Sequence, residues 1–281
     1  MKTCLVLEGG AMRGIYGAGV TDALLDCDVK FDAVIGVSAG AIHGATFVAG
    51  QRGRNIRYSR KYCADKRFMS VYSLITTGSL VGEQFCYHDI PDNLDPFDYE
   101  AFRTSKTDFY CVCTDIEKGS PVYMKCSDLR IQMDCLLASA SMPMVSRIVE
   151  TCGRKLLDGG ITDSIPIRAA MKLGFDRIVA VSTRHRGYIK KPEISVPAHI
   201  MYGKKYPSLV RAMECRHLMY NRQLSDAESL AADGKIILIQ PSRKVKISRT
   251  EKNPDTIYEM YLLGKHDAET AMEDVIRFIG E

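Results

Sequence analysis

The chain has 281 residues, of which 46% are hydrophobic and 26% charged, and its formal net charge is +4 at neutral pH. This composition is typical of a globular protein and excludes collagen-like and low-complexity classes. A charge of +4 is far below that of a dedicated nucleic-acid binder, so we expect no nucleic-acid partner. A chain of this length can bury a full core without metal or disulfide staples, and we predict one domain over residues 1–281.

The sequence carries no pattern typical of export or membrane insertion. The apolar run at residues 3–7 stops at Glu8 and is too short for the core of a signal peptide. No apolar window of roughly 18 residues occurs, so we expect no membrane span. Ten cysteines without an export signal indicate free thiols in a cytoplasmic protein. Because Cys111 and Cys113 have no nearby Cys or His partner, we predict neither a metal nor another cofactor.

Strand and helix patterns alternate from the first residues onward. Apolar, β-branched runs at 3–7 and 31–37 predict strands, each followed by a glycine-containing loop and a helical pattern. This alternation predicts a three-layer α/β/α fold around a mainly parallel central sheet. The apolar residues between positions 65 and 96 follow no clear period, so we expect loops there. The remaining predicted elements are helices at 56–64, 129–139, 166–173, 209–232 and 256–278, and strands at 109–114, 121–125, 155–157, 177–182 and 236–239.

The strongest motif is a G-x-S-x-G formed by Gly36, Ser38 and Gly40, where a predicted strand turns into a helix. A serine on such a turn is held in strained backbone geometry with its hydroxyl exposed above the sheet. The flanking glycines leave room for the neighbouring strand and helix, and the helix N-terminus adds free N–H groups and a positive dipole. This context predicts that Ser38 is a nucleophile.

A glycine-rich loop, Gly9-Gly10-Ala11-Met12-Arg13-Gly14, follows the first predicted strand. Backbone N–H groups in such a loop can stabilise the negative charge that acyl transfer develops on a carbonyl oxygen. The alternative is a degraded dinucleotide fingerprint, which requires an acidic residue at the end of the next strand. That strand ends instead at the serine motif, so we favour the oxyanion interpretation.

A third motif, Asp158-Gly159-Gly160, follows the short strand at 155–157. Two glycines after an aspartate allow close backbone approach and leave the carboxylate projecting from a tight turn, although Asp-Gly turns are also common without any function. All three motifs lie at the carboxyl ends of strands, where open parallel sheets place their sites.

The order of glycine-rich loop, G-x-S-x-G and D-G-G resembles the patatin-like phospholipases, in particular their bacterial members. The resemblance covers residues 5 to about 183 and includes the Thr114-Asp115 strand end and the stretch 138–143. It implies a motif-bearing core at about 3–183 with a C-terminal helical extension at about 184–281. It also implies a serine lipid acyl hydrolase that acts on a lipid or acyl-ester substrate.

The resemblance assigns a role to each motif. Ser38 is expected to be the nucleophile, Asp158 the general base of a Ser–Asp dyad, and Gly9 to Arg13 the oxyanion loop. The family usually has a third glycine where this chain has Ala11. An alanine keeps its N–H group but resists a positive φ, at a cost of about 1–2 kcal/mol.

Three alternatives remain open from the sequence. A Ser–His–Asp esterase is one, because His185, His199, His217 and His266 all follow Asp158 in the chain. A catalytically weak lipid- or acyl-binding protein of the same fold is the second, and Ala11 is its support. A nucleotide-dependent enzyme is the third.

The acyl chain needs an apolar groove, for which Phe68, Met69, residues 71–75, Met142 and Met144 are candidates. A basic run at residues 184–191 either meets phosphates or anionic lipid, or is a solvated loop. We expect contact with a membrane surface to be peripheral at most, since the chain has no Trp. The sequence predicts neither an oligomeric state nor a role for residues 184–281.

Overall fold

The computed structural model describes residues 1–193 and 195–280. Within this part of the chain, eight β-strands form one sheet. The strands are β1 Thr3–Leu7, β2 Ala33–Val37, β3 Asp108–Asp115, β4 Ser120–Cys126, β5 Val149–Thr151, β6 Arg154–Asp158, β7 Arg177–Val181 and β8 Ile236–Ile239. The α-helices are α1 Ile15–Asp26, α2 Ala39–Val48, α3 Arg54–Tyr62, α4 Val71–Thr77, α5 Tyr99–Thr104, α6 Leu129–Ala140, α7 Ile167–Lys172, α8 Val196–Tyr202, α9 Pro207–Ala232 and α10 Pro254–Gly280.

The sheet runs in the order β5-β6-β3-β2-β1-β7-β8, with β4 also paired to β3. The pairs β3–β2, β2–β1, β1–β7 and β7–β8 are parallel, whereas β4, β6 and β5 add antiparallel pairs at one side. This confirms the predicted α/β fold with a mainly parallel sheet. The carboxyl ends of β1 and β2 lie at one edge of the sheet, and the end of β6 reaches the same region across β3, where Asp158 lies opposite Cys113.

Both faces of the sheet are covered because alternate residues of each strand point to opposite sides. Leu5 and Leu7 of β1 pack into one buried cluster with helices α1, α2 and α10. Cys4 and Val6 pack into a second cluster with α7 and α9. Each fully buried aliphatic side chain of this kind contributes about 1.5–3 kcal/mol.

The C-terminal helices are integral parts of these two layers. Helix α10 packs directly against α1, and the contact is so close that a Cβ on Gly19 would lie 2.1 Å from the carbonyl oxygen of Tyr261. Tyr220 and Leu224 of α9 lie in the cluster on the opposite face. Residues 184–280 therefore help to build both sides of the sheet, a role that the sequence did not predict.

The prediction of loops between residues 65 and 96 is wrong. Helix α4 and a π-helical segment, Phe85–Leu94, lie there. Phe68, Tyr87 and Ile90 of this region line a cavity described below. Helices α5 and α8 and strand β5 are also additions to the predicted elements.

Among the described residues, none of the helices combines the length and the apolar character that crossing a membrane requires. All ten cysteines are unpaired.

Candidate active site

Ser38 lies on a sharp turn between β2 and α2. Its backbone has φ +55° and ψ −125°, and it is the only residue between the end of the strand at Val37 and the start of the helix at Ala39. Such a conformation is strained for a residue with a side chain and is typical of a nucleophile elbow. A Cβ on Gly36 would lie 2.4 Å from the Cα of Ala41. The sequence therefore needs glycine before the serine for the helix to start this close to the strand.

The glycine after the serine has a matching role. A Cβ on Gly40 would lie 2.4 Å from the carbonyl oxygen of Leu7, at the end of the neighbouring strand β1. The first turn of α2 thus packs directly on the β1 backbone. This packing brings the loop that follows β1 next to the serine.

Ser139 stabilises this turn through two hydrogen bonds. The Ser38 N–H donates a hydrogen bond to the Ser139 hydroxyl at 2.9 Å, and that hydroxyl donates to the carbonyl oxygen of Val112 at 2.7 Å. Ser139 is fully buried. Sequence reasoning gave this serine no role, although it lies in the stretch 138–143 on which part of the family resemblance rests.

Asp158 ends strand β6, and its side chain is nearly as buried as that of Ser38, at 7% and 8% exposed. Its Oδ1 atom accepts a hydrogen bond from the N–H of Gly160 at 2.7 Å. Burial raises the pKa of the carboxyl, while a hydrogen bond from the Ser38 side chain and the positive charge of Arg216 partly offset that rise. The nucleophile candidate and the base candidate therefore line the same cavity, and the carboxylate is partly desolvated.

Gly159 and Gly160 begin a short 3₁₀ turn directly after the aspartate. A Cβ on Gly159 would lie 2.2 Å from the carbonyl oxygen of Val112. The carbonyl oxygen of Gly160 accepts a hydrogen bond from Nε of Arg216 at 2.7 Å. Arg216 lies on α9, and sequence reasoning did not identify it, since no motif surrounds it.

The glycine-rich loop approaches the same point from β1. A Cβ on Gly9 would lie 2.8 Å from the Cβ of Ser38, and Ala11–Gly14 form a 3₁₀ turn beyond it. Ala11 has φ +49°, which is the left-handed conformation that an alanine resists. The loop is therefore formed in spite of the alanine.

Two of the five loop N–H groups are already engaged. Met12 donates to the carbonyl oxygen of Arg249 at 3.4 Å, and Arg13 donates to that of Gly10 at 3.2 Å. Within residues 1–193 and 195–280, the N–H groups of Gly9, Gly10 and Ala11 have no acceptor. All three residues line the second cavity, so their N–H groups are candidates to bind an oxygen atom of a bound molecule.

A buried polar network fixes the loop. Nε of Arg13 donates to the hydroxyl of Thr183 at 3.1 Å, which in turn donates to the carbonyl oxygen of Gly9 at 3.1 Å. The carboxylate of Glu8 accepts hydrogen bonds from the N–H of Thr183 at 2.6 Å and from the hydroxyl of Tyr220 at 2.9 Å. Burial lowers the pKa of Arg13, and the charge of Glu8 opposes that effect. Arg13 therefore acts on the loop through Thr183.

Two cavities meet at Ser38. Ala11, Ser38 and Met142 line both of them. The first cavity has about 1010 Å³ of open space and a mostly apolar wall. The second has about 1130 Å³, and Asp158 and the glycine-rich loop lie in its wall. The site can therefore hold a molecule with an apolar part on one side of the serine and a polar part on the other.

The predicted acyl-groove residues separate into three groups. Phe68, Met69 and Met142 line the apolar cavity. Val71 and Ile75 of α4 are exposed to solvent, at 65% and 79%. Met144 lines the second cavity and not the apolar one. The first group lies where an acyl chain would fit beside the serine.

A Ser–His–Asp triad requires a histidine that is hydrogen-bonded to both the serine and the aspartate, and the described histidines make other contacts. His43 lines the apolar cavity, and its pKa is lowered to about 4 because burial disfavours the charged ring. His199 pairs with Glu214 at 2.8 Å, away from the aspartate. No histidine in the described part of the chain is hydrogen-bonded to Ser38 or Asp158. The same part of the chain holds no cluster of three or more His, Cys, Asp or Glu side chains arranged for a metal.

Comparison with known proteins identifies the family of this fold and site. The family model described as patatin-like phospholipase matches residues 5–171, which is more than half of the chain. The chain therefore belongs to the patatin-like phospholipase family. A second model, described as a domain of unknown function (DUF6363), matches residues 206–280, which include all of α9 and α10.

Curated relatives align over a similar part of the chain. The uncharacterized protein YjjU of Escherichia coli is 27% identical over 188 residues, which is 65% of this chain and 52% of that protein. Lysophospholipase nte1 of Aspergillus oryzae is 30% identical over 184 residues, which is 63% of this chain and 11% of that protein. The chain thus spans about half the length of the first relative and far less of the second. Among solved structures, VipD from Legionella pneumophila matches 97% of this chain and 67% of its own with a TM-score of 0.49 and 14% identity.

Proposed function

We propose that this protein is a serine lipid acyl hydrolase that cleaves carboxylic esters with a Ser38–Asp158 dyad. Family membership supports a lipid acyl hydrolase as the general class. The observation that carries the finer proposal is that Ser38, on its strained turn, and the buried carboxylate of Asp158 line the same cavity as the glycine-rich loop. No cofactor is needed for this chemistry.

The reaction proceeds through an acyl-enzyme. Asp158 accepts the hydroxyl proton of Ser38 while Oγ forms a bond to the ester carbonyl carbon. The N–H groups of Gly10 and Ala11 stabilise the oxyanion of the tetrahedral intermediate. The bond from that carbon to the alcohol oxygen then breaks, and the alcohol leaves with the proton from Asp158. Water then loses a proton to the same carboxylate while its oxygen bonds to the acyl carbon. The bond from that carbon to Oγ breaks, Oγ regains the proton from Asp158, and the fatty acid leaves.

The raised pKa of Asp158 suits this role. A carboxylate in water is a weak base towards a serine hydroxyl, whereas a partly desolvated one is stronger. Burial raises the pKa, and the hydrogen bond from Ser38 and the charge of Arg216 keep the ionised form accessible. The strained turn at Ser38 adds to this by keeping the hydroxyl exposed to the cavity.

Turnover of lipid esters with product analysis by mass spectrometry tests the proposal. The wild type should release fatty acid, whereas Ser38→Ala and Asp158→Asn should each lose nearly all turnover and keep the native circular dichroism spectrum. A Ser141→Ala variant serves as a matched control, since its hydroxyl bonds within its own helix to Leu137. An active Asp158→Asn enzyme would show that the aspartate is not the base.

The same assay separates the alternatives. A protein that binds lipid without cleaving it would retain affinity and release no fatty acid, which is the outcome that the strain at Ala11 would favour. A Ser–His–Asp esterase would lose all activity when one histidine is replaced. We expect replacement of His185, His199, His217 or His266 to leave more than about half of the turnover, because none of them contacts the dyad.

A further inference from the structure

One face of helix α9 carries polar side chains that reach two of the motif loops. Arg216, Tyr220 and Gln223 follow each other at steps of four and three residues, so they lie on the same side of the helix. All three lie beyond residue 171, where the patatin-like match ends, and inside the segment 206–280, which matches the model of unknown function. This polar stripe therefore connects the unexplained C-terminal segment with the candidate site.

Arg216 holds the turn directly after Asp158. Its Nε donates to the carbonyl oxygen of Gly160 at 2.7 Å, and the N–H of the same glycine donates to Oδ1 of Asp158 at 2.7 Å. The two polar groups of this glycine are thus engaged, one by the helix and the other by the carboxylate. Burial raises the pKa of Asp158, and the positive charges of Arg216 and Arg249 oppose that rise.

Gln223 holds the end of the same turn. Its Oε1 accepts hydrogen bonds from the N–H groups of Ser164 at 3.1 Å and Ile165 at 3.0 Å. Its Nε2 donates to Oδ1 of Asp163 at 2.6 Å. The Ser164 hydroxyl donates in turn to the carbonyl oxygen of Gly160 at 2.9 Å. The stripe therefore contacts both the start and the end of residues 158–165.

Tyr220 acts on the glycine-rich loop through Glu8. Its hydroxyl donates to Oε1 of Glu8 at 2.9 Å, while Oε2 accepts from the hydroxyl of Ser182 at 2.7 Å and from the N–H of Thr183 at 2.6 Å. Glu8 directly precedes Gly9 and is only 4% exposed. Because a buried carboxylate is costly unless it is hydrogen-bonded, the Tyr220 hydroxyl helps to fix the point from which the loop starts.

A backbone hydrogen bond from the same segment reaches the loop itself. The N–H of Met12 donates to the carbonyl oxygen of Arg249 at 3.4 Å. Arg249 lies between β8 and α10, inside the segment 206–280. This segment therefore holds the glycine-rich loop at its start, through Glu8, and again at Met12.

Apolar packing of the helix does not account for these contacts. Helix α9 covers one face of the sheet with side chains such as Leu224 and Ala227, which lie in the buried cluster with Val6 of β1. A helix that only covers a sheet needs no polar side chain at the loops beside it. Hydrogen bonds are directional, so the polar stripe fixes where the two loops lie relative to each other.

We propose that the polar stripe of α9 positions the Asp158 turn and the glycine-rich loop around Ser38, so that the segment 206–280 supplies positioning residues to the active site. The proposal rests on the proposed function, because it takes Asp158 as the base and the loop as the oxyanion site. A helix is a rigid element, and one that contacts both loops holds the carboxylate and the N–H donors at a set separation. Misplacing a catalytic group by about 1 Å can cost about 100-fold in rate.

Tyr220→Phe tests the contact with the glycine-rich loop. The variant keeps the ring in its buried cluster and removes the hydrogen bond to Glu8. We expect kcat for a monomeric neutral ester, p-nitrophenyl butyrate, to fall about 10- to 100-fold with KM nearly unchanged, because oxyanion donors act mainly in the transition state. The acid limb of the pH profile of kcat/KM should stay in place, since the surroundings of Asp158 are unchanged.

Arg216→Met and Arg216→Lys test the contact with the Asp158 turn. Methionine removes both the donor and the charge, so kcat/KM should fall about 10-fold or more and its acid limb should move to higher pH. Lysine keeps a donor and a charge, so it should restore the wild-type pH profile and part of kcat. Arg249, the other arginine that lowers the pKa of Asp158, is present in both variants. Identical pH profiles in the two variants would overturn the proposal, because a merely structural role would not distinguish them.

Asp226→Asn is the matched control, in the full chain like the other variants. Asp226 lies on the same helix and pairs with Arg168 at 2.7 Å at a solvent-exposed site, away from both loops. Its kcat, KM and pH profile should equal those of the wild type. Losses of kcat as large as those of Tyr220→Phe would overturn the proposal, since they would indicate general weakening of the helix. Wild-type kcat in Tyr220→Phe would overturn it as well.

Amide hydrogen exchange, measured by mass spectrometry, separates this proposal from the hydrolase proposal. If the wild type cleaves no ester, the hydrolase proposal fails, and exchange in the same variants decides the inference by itself. Tyr220→Phe should speed exchange in peptides from residues 8–14, Gln223→Leu in peptides from residues 158–165, and Asp226→Asn in neither. Faster exchange confined to those peptides supports the inference. Unchanged exchange in both, or faster exchange throughout the chain, overturns it.

Discussion

Replacing Ser139 with alanine tests how the strained turn at Ser38 is held in place. The Ser139 hydroxyl accepts a hydrogen bond from the Ser38 N–H at 2.9 Å and donates one to the Val112 carbonyl at 2.7 Å. Alanine removes both bonds and leaves two buried backbone groups without their partner. Each such group costs about 1–3 kcal/mol, so we expect the free energy of unfolding to fall by about 2–4 kcal/mol. The Ser38 backbone can then relax from φ +55°, and kcat should fall as well.

Urea unfolding and ester turnover measure the two effects. The slope of the unfolding free energy against urea should stay unchanged, because the unfolded surface is the same. Ser141→Ala is the control, since Ser141 lies two residues further on and its hydroxyl donates to the carbonyl of Leu137, whereas its contact with Asp158 is made by the backbone, which alanine keeps. It should cost less than about 1 kcal/mol and leave kcat nearly unchanged. If Ser139→Ala proves no more destabilising than Ser141→Ala and keeps full turnover, the buried hydroxyl does not hold the turn.

Three further predictions concern the loop, the base and the helix start. Ala11→Gly should raise the free energy of unfolding by about 1 kcal/mol in chemical denaturation, because Ala11 has φ +49°; a loss of stability would mean that this conformation is not strained. Burial raises the pKa of Asp158, so kcat/KM for a neutral ester should fall as the pH drops through a value above the ordinary aspartate range. Arg216→Gln removes a charge that lowers this pKa. In that variant the fall of kcat/KM at acid pH should therefore begin at a higher pH, and an unchanged pH profile would contradict the assignment. Gly40→Ala should fail to give active, folded protein in turnover and circular dichroism, because the added Cβ would lie 2.4 Å from the Leu7 carbonyl; a fully active variant would contradict the close packing of the helix on the strand.

The sequence predicted that three motifs would lie close together, and the structure places all three at one cavity. The loop at Gly9 and the turn at Ser38 follow parallel strands that end at a common edge. The turn at Asp158 reaches the same region differently, because β6 runs antiparallel to β3 and ends opposite Cys113. The roles of the three motifs stay predictions. From the sequence, only the cost that a positive φ would have at Ala11 could be stated, and the structure shows that the residue has this conformation, with φ +49°.

The supporting residues could not be predicted in the same way. Ser139 contacts Ser38 across 101 residues, and Arg216 contacts Gly160 across 56 residues. Neither lies in a pattern of glycines or alternating apolar residues that marks a special position. Arg216 lies on the long helix α9, whose sequence has the pattern of an ordinary amphipathic helix packed on a sheet. Only the packing of that helix shows which of its side chains line the cavity.

The sequence does not decide whether the basic run at 184–191 is a solvated loop or a contact for phosphates or anionic lipid. The structure places its residues at two different sites. Arg184 and Lys190 line the second cavity, whereas Arg186 lies in a separate surface depression. The sequence alone cannot make this division, because the positions of these side chains depend on the contacts of Arg184 with Tyr188 and of Lys190 with Glu193.

Covalent labelling with a fluorophosphonate, followed by intact-mass and peptide mass spectrometry, tests most directly whether Ser38 is an activated nucleophile. The wild type should gain one adduct, located on Ser38, and Ser38→Ala should gain none. Asp158→Asn should remain folded and react at least about 100-fold more slowly, since general-base assistance is worth this much or more. An adduct on another residue in the Ser38→Ala protein, or labelling of Asp158→Asn at the rate of the wild type, would contradict the account.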